Sequence, residues 1–171
     1  MGDFYETFGS DAIKTAQILG IVLTKRANGE GHSELAGFPH HSIDSYLPKL
    51  VRAGLRVAIC DQLEDPKSVK GIVKRGVTEL VTPGVTFNEQ VLTSKKNNFL
   101  LSIHKEKEKF GMALVDISTG EFLVSEGNLE KLLHIVATFD PSEIIYQRTT
   151  ELPTQLKNKN SFKLEDWAFQ Y

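Results

Sequence analysis

The chain has 171 residues, 40% of them hydrophobic and 25% charged, with 20 Lys+Arg against 22 Asp+Glu and a formal net charge of −2. That length suits one or two domains, and it can bury a core large enough to fold without disulfides or structural metals. The one cysteine, Cys60, excludes a disulfide framework and fits a reducing, intracellular compartment; no apolar run reaches the ~18 residues of a membrane span, and residues 1–6 do not open a secretory signal.

Helical and extended signals alternate through the first half. Residues 1–6, with Phe4 and Tyr5, read as a short strand. Ser10 or Asp11 caps a helix that carries Ala12, Ile13, Ala16 and Leu19 on one face and stops at Gly20. Residues 21–24 read as a β-branched strand and residues 27–34 as a Gly/Asn/Ser-containing loop. Ser42 caps the next helix, in which Ile43, Tyr46, Leu47, Leu50 and Val51 follow the stripe of a buried face. Pro48 lies inside that stripe and predicts a kink. Gly54 ends the helix, residues 56–60 and 77–81 are strands, and Thr82-Pro83-Gly84 is a turn.

The second half changes rhythm after a polar segment, residues 86–97, which reads as a linker. Residues 99–103, 112–117 and 122–124 form three closely spaced strands, joined by the turns 105–109 and 118–120, and so predict antiparallel hairpins. Asn128 caps a helix with Leu129, Leu132, Leu133, Val136 and Phe139 inward, and Pro141 ends it. Residues 143–146 then return as a strand that must run parallel to one of the first three. The tail from Ser161, with Phe162, Leu164, Trp167, Phe169 and Tyr171, reads as an element wanting a partner, so the second domain is expected to be incomplete.

The obvious chemical constellations are weak. The histidines are His32, His40, His41, His104 and His134, and only His40 and His41 are close; no spacing supplies three or four metal ligands. Neither a P-loop nor a dinucleotide-binding glycine pattern is present. Asp116 ends a strand, as the acidic residue of an RNase H-like nuclease does, and Glu121 and Glu126 are near it in sequence. Two-metal chemistry needs such carboxylates to converge, whereas a hairpin turn also accounts for Asp116 and Gly120. Residues 1–85 carry ten Lys/Arg and ten Asp/Glu, so any nucleic-acid surface in the first half has to be local. Lys25-Arg26 and the run Lys67, Lys70, Lys74, Arg75 are the local basic clusters, and each flanks a loop.

Phe4-Tyr5-Glu6 is the most informative stretch. In an extended chain Phe4 and Glu6 share one face and Tyr5 takes the other. A face cannot be both core and water, but an exposed aromatic beside a carboxylate can stack on a base and accept a hydrogen bond from it.

Met1-Gly2-Asp3-Phe4-Tyr5-Glu6-Thr7-Phe8 and Leu23-Thr24-Lys25-Arg26 together resemble the mismatch-recognition domain of the bacterial MutS family of mismatch-repair proteins. Ala36-Gly37-Phe38-Pro39-His40-His41, Tyr46-Leu47-Pro48-Lys49-Leu50, Val57-Ala58-Ile59-Cys60-Asp61-Gln62, Asp65-Pro66 and Val81-Thr82-Pro83-Gly84 continue the resemblance in order. Residues 98–171 are similar to the start of the family's connector domain, which is RNase H-like without the nuclease site. Pro48 departs from the family, and the chain includes neither the family's short segment before Met1 nor its lever, clamp and ATPase regions.

The resemblance implies an α/β architecture: a small mixed-sheet mismatch-recognition domain at 1–85, a linker at 86–97, and a truncated RNase H-like connector at 98–171. It implies that Phe4 wedges against a mispaired or unpaired base and that Glu6 hydrogen-bonds it, with Arg75, Lys74, Lys25 and Arg26 among residues lining the DNA. The expected partner is mismatched duplex DNA and, for the whole protein, a second MutS subunit and a MutL-type protein, in the cytoplasm at the nucleoid. These residues are expected to be non-catalytic and to need no cofactor, ATP and magnesium belonging to the ATPase. The competing readings are a metal-dependent RNase H-like nuclease centred on Asp116 and a protein-interaction domain with no DNA role.

Overall fold

In the computed structural model, which describes residues 3–28, 31–65, 68, 71–85 and 97–170, the chain divides into two units, Met1–Leu80 and Val81–Tyr171. The predicted 86–97 linker lies, except for Asn97, outside the described residues, as do Lys67 and Lys70 of the second basic cluster.

The first unit opens with strand β1 (Phe4–Phe8) and helix α1 (Gly9–Leu19). The helix starts before either expected cap, with Phe8 in extended conformation at the cap position and no side chain closing it; Gly20 ends it with φ 67° and an N–H bond to Ala16 O of 2.9 Å. Residues 21–23 are irregular rather than a strand. The predicted loop at 27–34 is instead a hairpin of β2 (Thr24–Asn28) and β3 (Gly31–Pro39). Its register runs from Thr24↔Leu35 to Asn28↔Gly31, with two residues between the strands. Polar composition concealed the hairpin: Ala36 and Phe38 alternate with Leu35 and Gly37, and only Ala36 and Phe38 need burial.

β1 pairs antiparallel with β3, giving the order β1-β3-β2. α1 covers one face, and Ala12, Ala16 and Ala36 meet there because small side chains allow close approach. Leu19, Phe38 and Leu50 form the adjoining core, with Tyr5, Ile43 and Tyr46 packed against it. Helix α2 (Ile43–Arg52) follows a 3₁₀ turn, His40–Ser42, and continues through the buried Pro48, whose carbonyl accepts from Arg52 Nε at 3.3 Å. Strands β4 (Val57–Gln62) and β5 (Arg75–Val81) make a separate two-stranded sheet.

The second unit is a mixed five-stranded sheet. β6 (Leu100–Glu106), β7 (Lys109–Asp116) and β8 (Glu121–Gly127) form the expected antiparallel meander, although the first turn shrinks to Lys107-Glu108 as the strands extend. Asn128 caps α3 (Leu129–Phe139) by accepting from Lys131 N–H at 3.1 Å. β9 (Glu143–Gln147) then adds parallel to β6. The tail does find a partner, since β10 (Ser161–Leu164) pairs parallel with β9, giving the order β10-β9-β6-β7-β8; Trp167 beyond it is 76% exposed. Leu101, Ile103, Met112, Leu114, Leu132, Val136 and Ile144 form the core between sheet and helix.

Candidate functional site

Among the described residues β1 pairs on one side only, which makes it an edge strand. His40 N–H donates to Asp3 O at 2.8 Å, a bond that belongs to a hydrogen-bonded position of the ladder; by antiparallel alternation Phe4↔Pro39 is then a pair without ladder bonds and Tyr5↔Phe38 a pair with them. A proline opposite Phe4 therefore costs nothing.

The pleat sorts the side chains. Tyr5 and Thr7, with Ala36 and Phe38 across from them, lie on the face covered by α1. Phe4, Glu6 and Phe8 lie on the other face, where Phe4 is 52% and Phe8 48% exposed. Glu6 sits opposite Gly37, where an added Cβ would come within 2.7 Å of Tyr5 O and 3.2 Å of Glu6 Cγ. The glycine thus permits both the strand approach and the path of the Glu6 side chain. Arg26 reaches this face from β2, its Nη1 lying 3.9 Å from Glu6 Oε2; with both side chains partly exposed, the pair is worth less than about 1 kcal/mol.

Of the described basic residues, the sheet brings Arg26 alone to the Phe4–Glu6 face. Lys25, its neighbour in β2, alternates to the opposite face. Arg75 opens β5 of the separate β4–β5 sheet and Lys74 immediately precedes it; Lys74 N–H donates to Glu64 Oε2 at 3.0 Å and Lys74 Nζ lies 3.9 Å from Glu64 Oε1. Arg75 is exposed at the start of β5.

Behind Phe4 lies a cluster that composition and motif gave no means of finding. The Tyr5 hydroxyl donates to Asp61 Oδ1 at 2.6 Å, and Thr78 Oγ1 donates to Asp61 Oδ2 at 2.5 Å, tying β1 to β4 and β5. The bond to Asp61 pushes the Tyr5 hydroxyl up to about 12, with burial and the carboxylate charge adding to it. The hydroxyls of Thr78 and then Tyr5 hold the Asp61 carboxyl below its ordinary range. Phe8 was missed as well, although extending the alternation by two residues places it beside Glu6.

The surroundings of Asp116 give no support to a nuclease centre. Its side chain is fully buried, and both carboxylate oxygens are occupied: Oδ2 accepts Asn98 N–H at 2.9 Å, and Oδ1 accepts Ser118 N–H at 2.9 Å and the Ser118 hydroxyl at 2.6 Å. Gly120, with φ 76°, closes the turn onto the Asp116 carbonyl at 2.8 Å. Glu121 stays exposed and accepts from Asn97 Nδ2 at 2.6 Å, and Glu126 is exposed too. Among the described residues no three His, Cys, Asp or Glu side chains gather as a metal site, and no helix is long and apolar enough to cross a membrane.

Comparison with known families matches residues 1–90 to MutS domain I and residues 98–170 to MutS domain II. Proteins named DNA mismatch repair protein MutS are similar throughout. The Cytophaga hutchinsonii protein is 57% identical over all of this chain, and those of Christiangramia forsetii and Flavobacterium psychrophilum are 57% and 58% identical over 99% of it. The chain spans 20% of the length of each of these curated relatives.

Proposed function

Because this chain belongs to the MutS family, we propose that its first unit recognises mispaired or unpaired bases in duplex DNA, with Phe4 as an aromatic wedge and Glu6 as the carboxylate that tests the base. The observation that carries this reading is the face of β1, where a half-exposed Phe4 and Glu6 project together from an edge strand while Tyr5 faces the core. An aromatic inserted from the minor groove unstacks a base step and kinks the duplex, at a cost of a few kcal/mol that is least where pairing is already weak. Selectivity then follows from deformability rather than from sequence.

In this reading Arg26 is the basic residue nearest the wedge, while Arg75, Lys74 and Lys25 contact the DNA backbone from other surfaces. The residues described here bind without catalysing and use no cofactor. In the intact protein the partners are a second MutS subunit and a MutL-type protein, and the work is done at the nucleoid in the cytoplasm.

The test is Phe4→Ala in the intact protein, titrated against a mismatched and a matched duplex at one salt concentration. Base–aromatic stacking is worth about 1–3 kcal/mol, so the mismatch preference should fall about 5- to 150-fold. Retained preference refutes the wedge. A loss of folding stability of about 3–5 kcal/mol, the cost of truncating a core phenylalanine, would instead return Phe4 to the core.

A further inference from the structure

A wedge has to push against something, and Phe4 is poorly placed to bear load by itself. It is the first residue of an edge strand, and its own pair with Pro39 carries no ladder bonds. Its position is fixed by its neighbours: Asp3, through His40 N–H, and Tyr5, through both its backbone and its side chain.

We infer that Tyr5 and Asp61 are positioning residues for the wedge, acting through the β1 backbone from the face opposite Phe4. The inference rests on the recognition reading above. The Tyr5 ring lies 6.1 Å from that of Phe38, and the Phe38 ring lies 4.8 Å from that of Tyr46, so the side chain is packed along its length and hydrogen-bonded at its tip. Asp61 receives that tip from β4, and its second oxygen is held by Thr78 from β5, whose hydroxyl also lies 3.4 Å from Ile59 O. A push on Phe4 that reaches the backbone twists β1 about its axis, which swings Tyr5 the opposite way and strains the 2.6 Å bond to Asp61. The tether therefore resists the motion that insertion would drive. Binding to matched duplex, which is mostly phosphate contact, does not load it.

Tyr5→Phe removes the hydroxyl and keeps the ring. The experiment is a double-mutant cycle in the intact protein, combining Tyr5→Phe with Phe4→Ala and reading the ratio of mismatched to matched affinity together with the bend of an end-labelled mismatched duplex by energy transfer. Tyr5→Phe alone should lower the ratio about 2- to 10-fold and reduce the bent fraction, leaving matched binding unchanged. In the Phe4→Ala background it should change neither. Asp61→Asn, whose amide oxygen still accepts from Tyr5, should retain more of the ratio than Asp61→Ala.

If Phe4→Ala abolishes the preference while Tyr5→Phe leaves it intact, the positioning role is wrong and the wedge stands. If Phe4→Ala leaves the preference intact, the recognition reading fails and the positioning role falls with it. Equal losses on both duplexes in both backgrounds would make the tether a general fold contact and overturn the inference. Should Tyr5→Phe fail to fold, Thr78→Val loosens Asp61 from the other side and is held to the same outcomes.

Discussion

Replacing Asp116 by alanine tests whether that carboxylate is a builder of the fold. Its carboxylate accepts at 2.9 Å from Asn98 N–H, at 2.9 Å from Ser118 N–H and at 2.6 Å from the Ser118 hydroxyl. Alanine leaves two backbone N–H groups without their acceptor beside a buried cavity, at about 1–3 kcal/mol each, so the second unit should lose about 2–6 kcal/mol. Asp116→Asn keeps one acceptor oxygen but presents an amide donor to the other N–H, and should lie between alanine and the parent. The acid limb gives an independent reading. Burial alone would raise this carboxyl, but the bonds from Ser118 and from the backbone N–H groups of Asn98, Ser118 and Thr119 outweigh it and hold the group below its ordinary range. A depressed carboxyl contributes stability that is complete above the unfolded value near pH 4 and is lost as pH falls through the folded value. Urea unfolding followed by circular dichroism should therefore show the parent's advantage over Asp116→Ala at pH 7 and a smaller one near pH 3. Stability within about 0.5 kcal/mol of the parent at neutral pH would refute the reasoning, being no more than an ordinary surface change. So would a magnesium-dependent stabilisation of the parent that Asp116→Ala removes.

Glu6→Ala in the intact protein should bind matched duplex more tightly than the parent, because a carboxylate facing phosphates only repels them and its removal leaves the Arg26 charge on that face uncompensated by Glu6. The same change should gain less or lose at a mismatch; paired titrations check it, and unchanged affinity for both duplexes would end the base-testing role. Arg75→Ala should weaken matched and mismatched binding alike and make the slope of log affinity against log salt shallower by about 0.9, the share of one phosphate contact. Loss of mismatch preference alone would remove Arg75 from the backbone contacts.

The second unit was legible because its signals are local. Hairpin turns, an Asn cap and a helix ended by Pro141 dictate the β6–β7–β8 meander and the parallel return of β9 within a few residues of each element. The hairpin of β2 and β3 was not legible. One face of β3 is buried by α1 and the other stays open, so its Ala36-Gly37-Phe38 stretch offers neither the apolar run of a central strand nor a strong alternation. The start of α1 was misplaced for a related reason. Ser10 and Asp11 are good caps by residue type, but the turn out of β1 is made at Gly9, whose φ of 55° reverses the chain before either can act.

At the site, alternation in three residues separates Phe4 and Glu6 from Tyr5, and a period of two needs no knowledge of the partner strand. Alternation also divides Lys25 from Arg26, so a basic pair that composition treats as one patch supplies one charge to each face. What sets the stiffness of that face lies outside any local pattern. Tyr5 and Asp61 are 56 residues apart, and each is unremarkable where it stands: an aromatic in a strand and an acid at a strand end. Only the packing of β4 and β5 behind β1 makes the one the receiver of the other. A strand that must present an aromatic from an open edge cannot be braced by a second ladder without losing the edge, so its support has to come from the covered face. The hydroxyl of Tyr5, the side chain next to Phe4, provides that support from there.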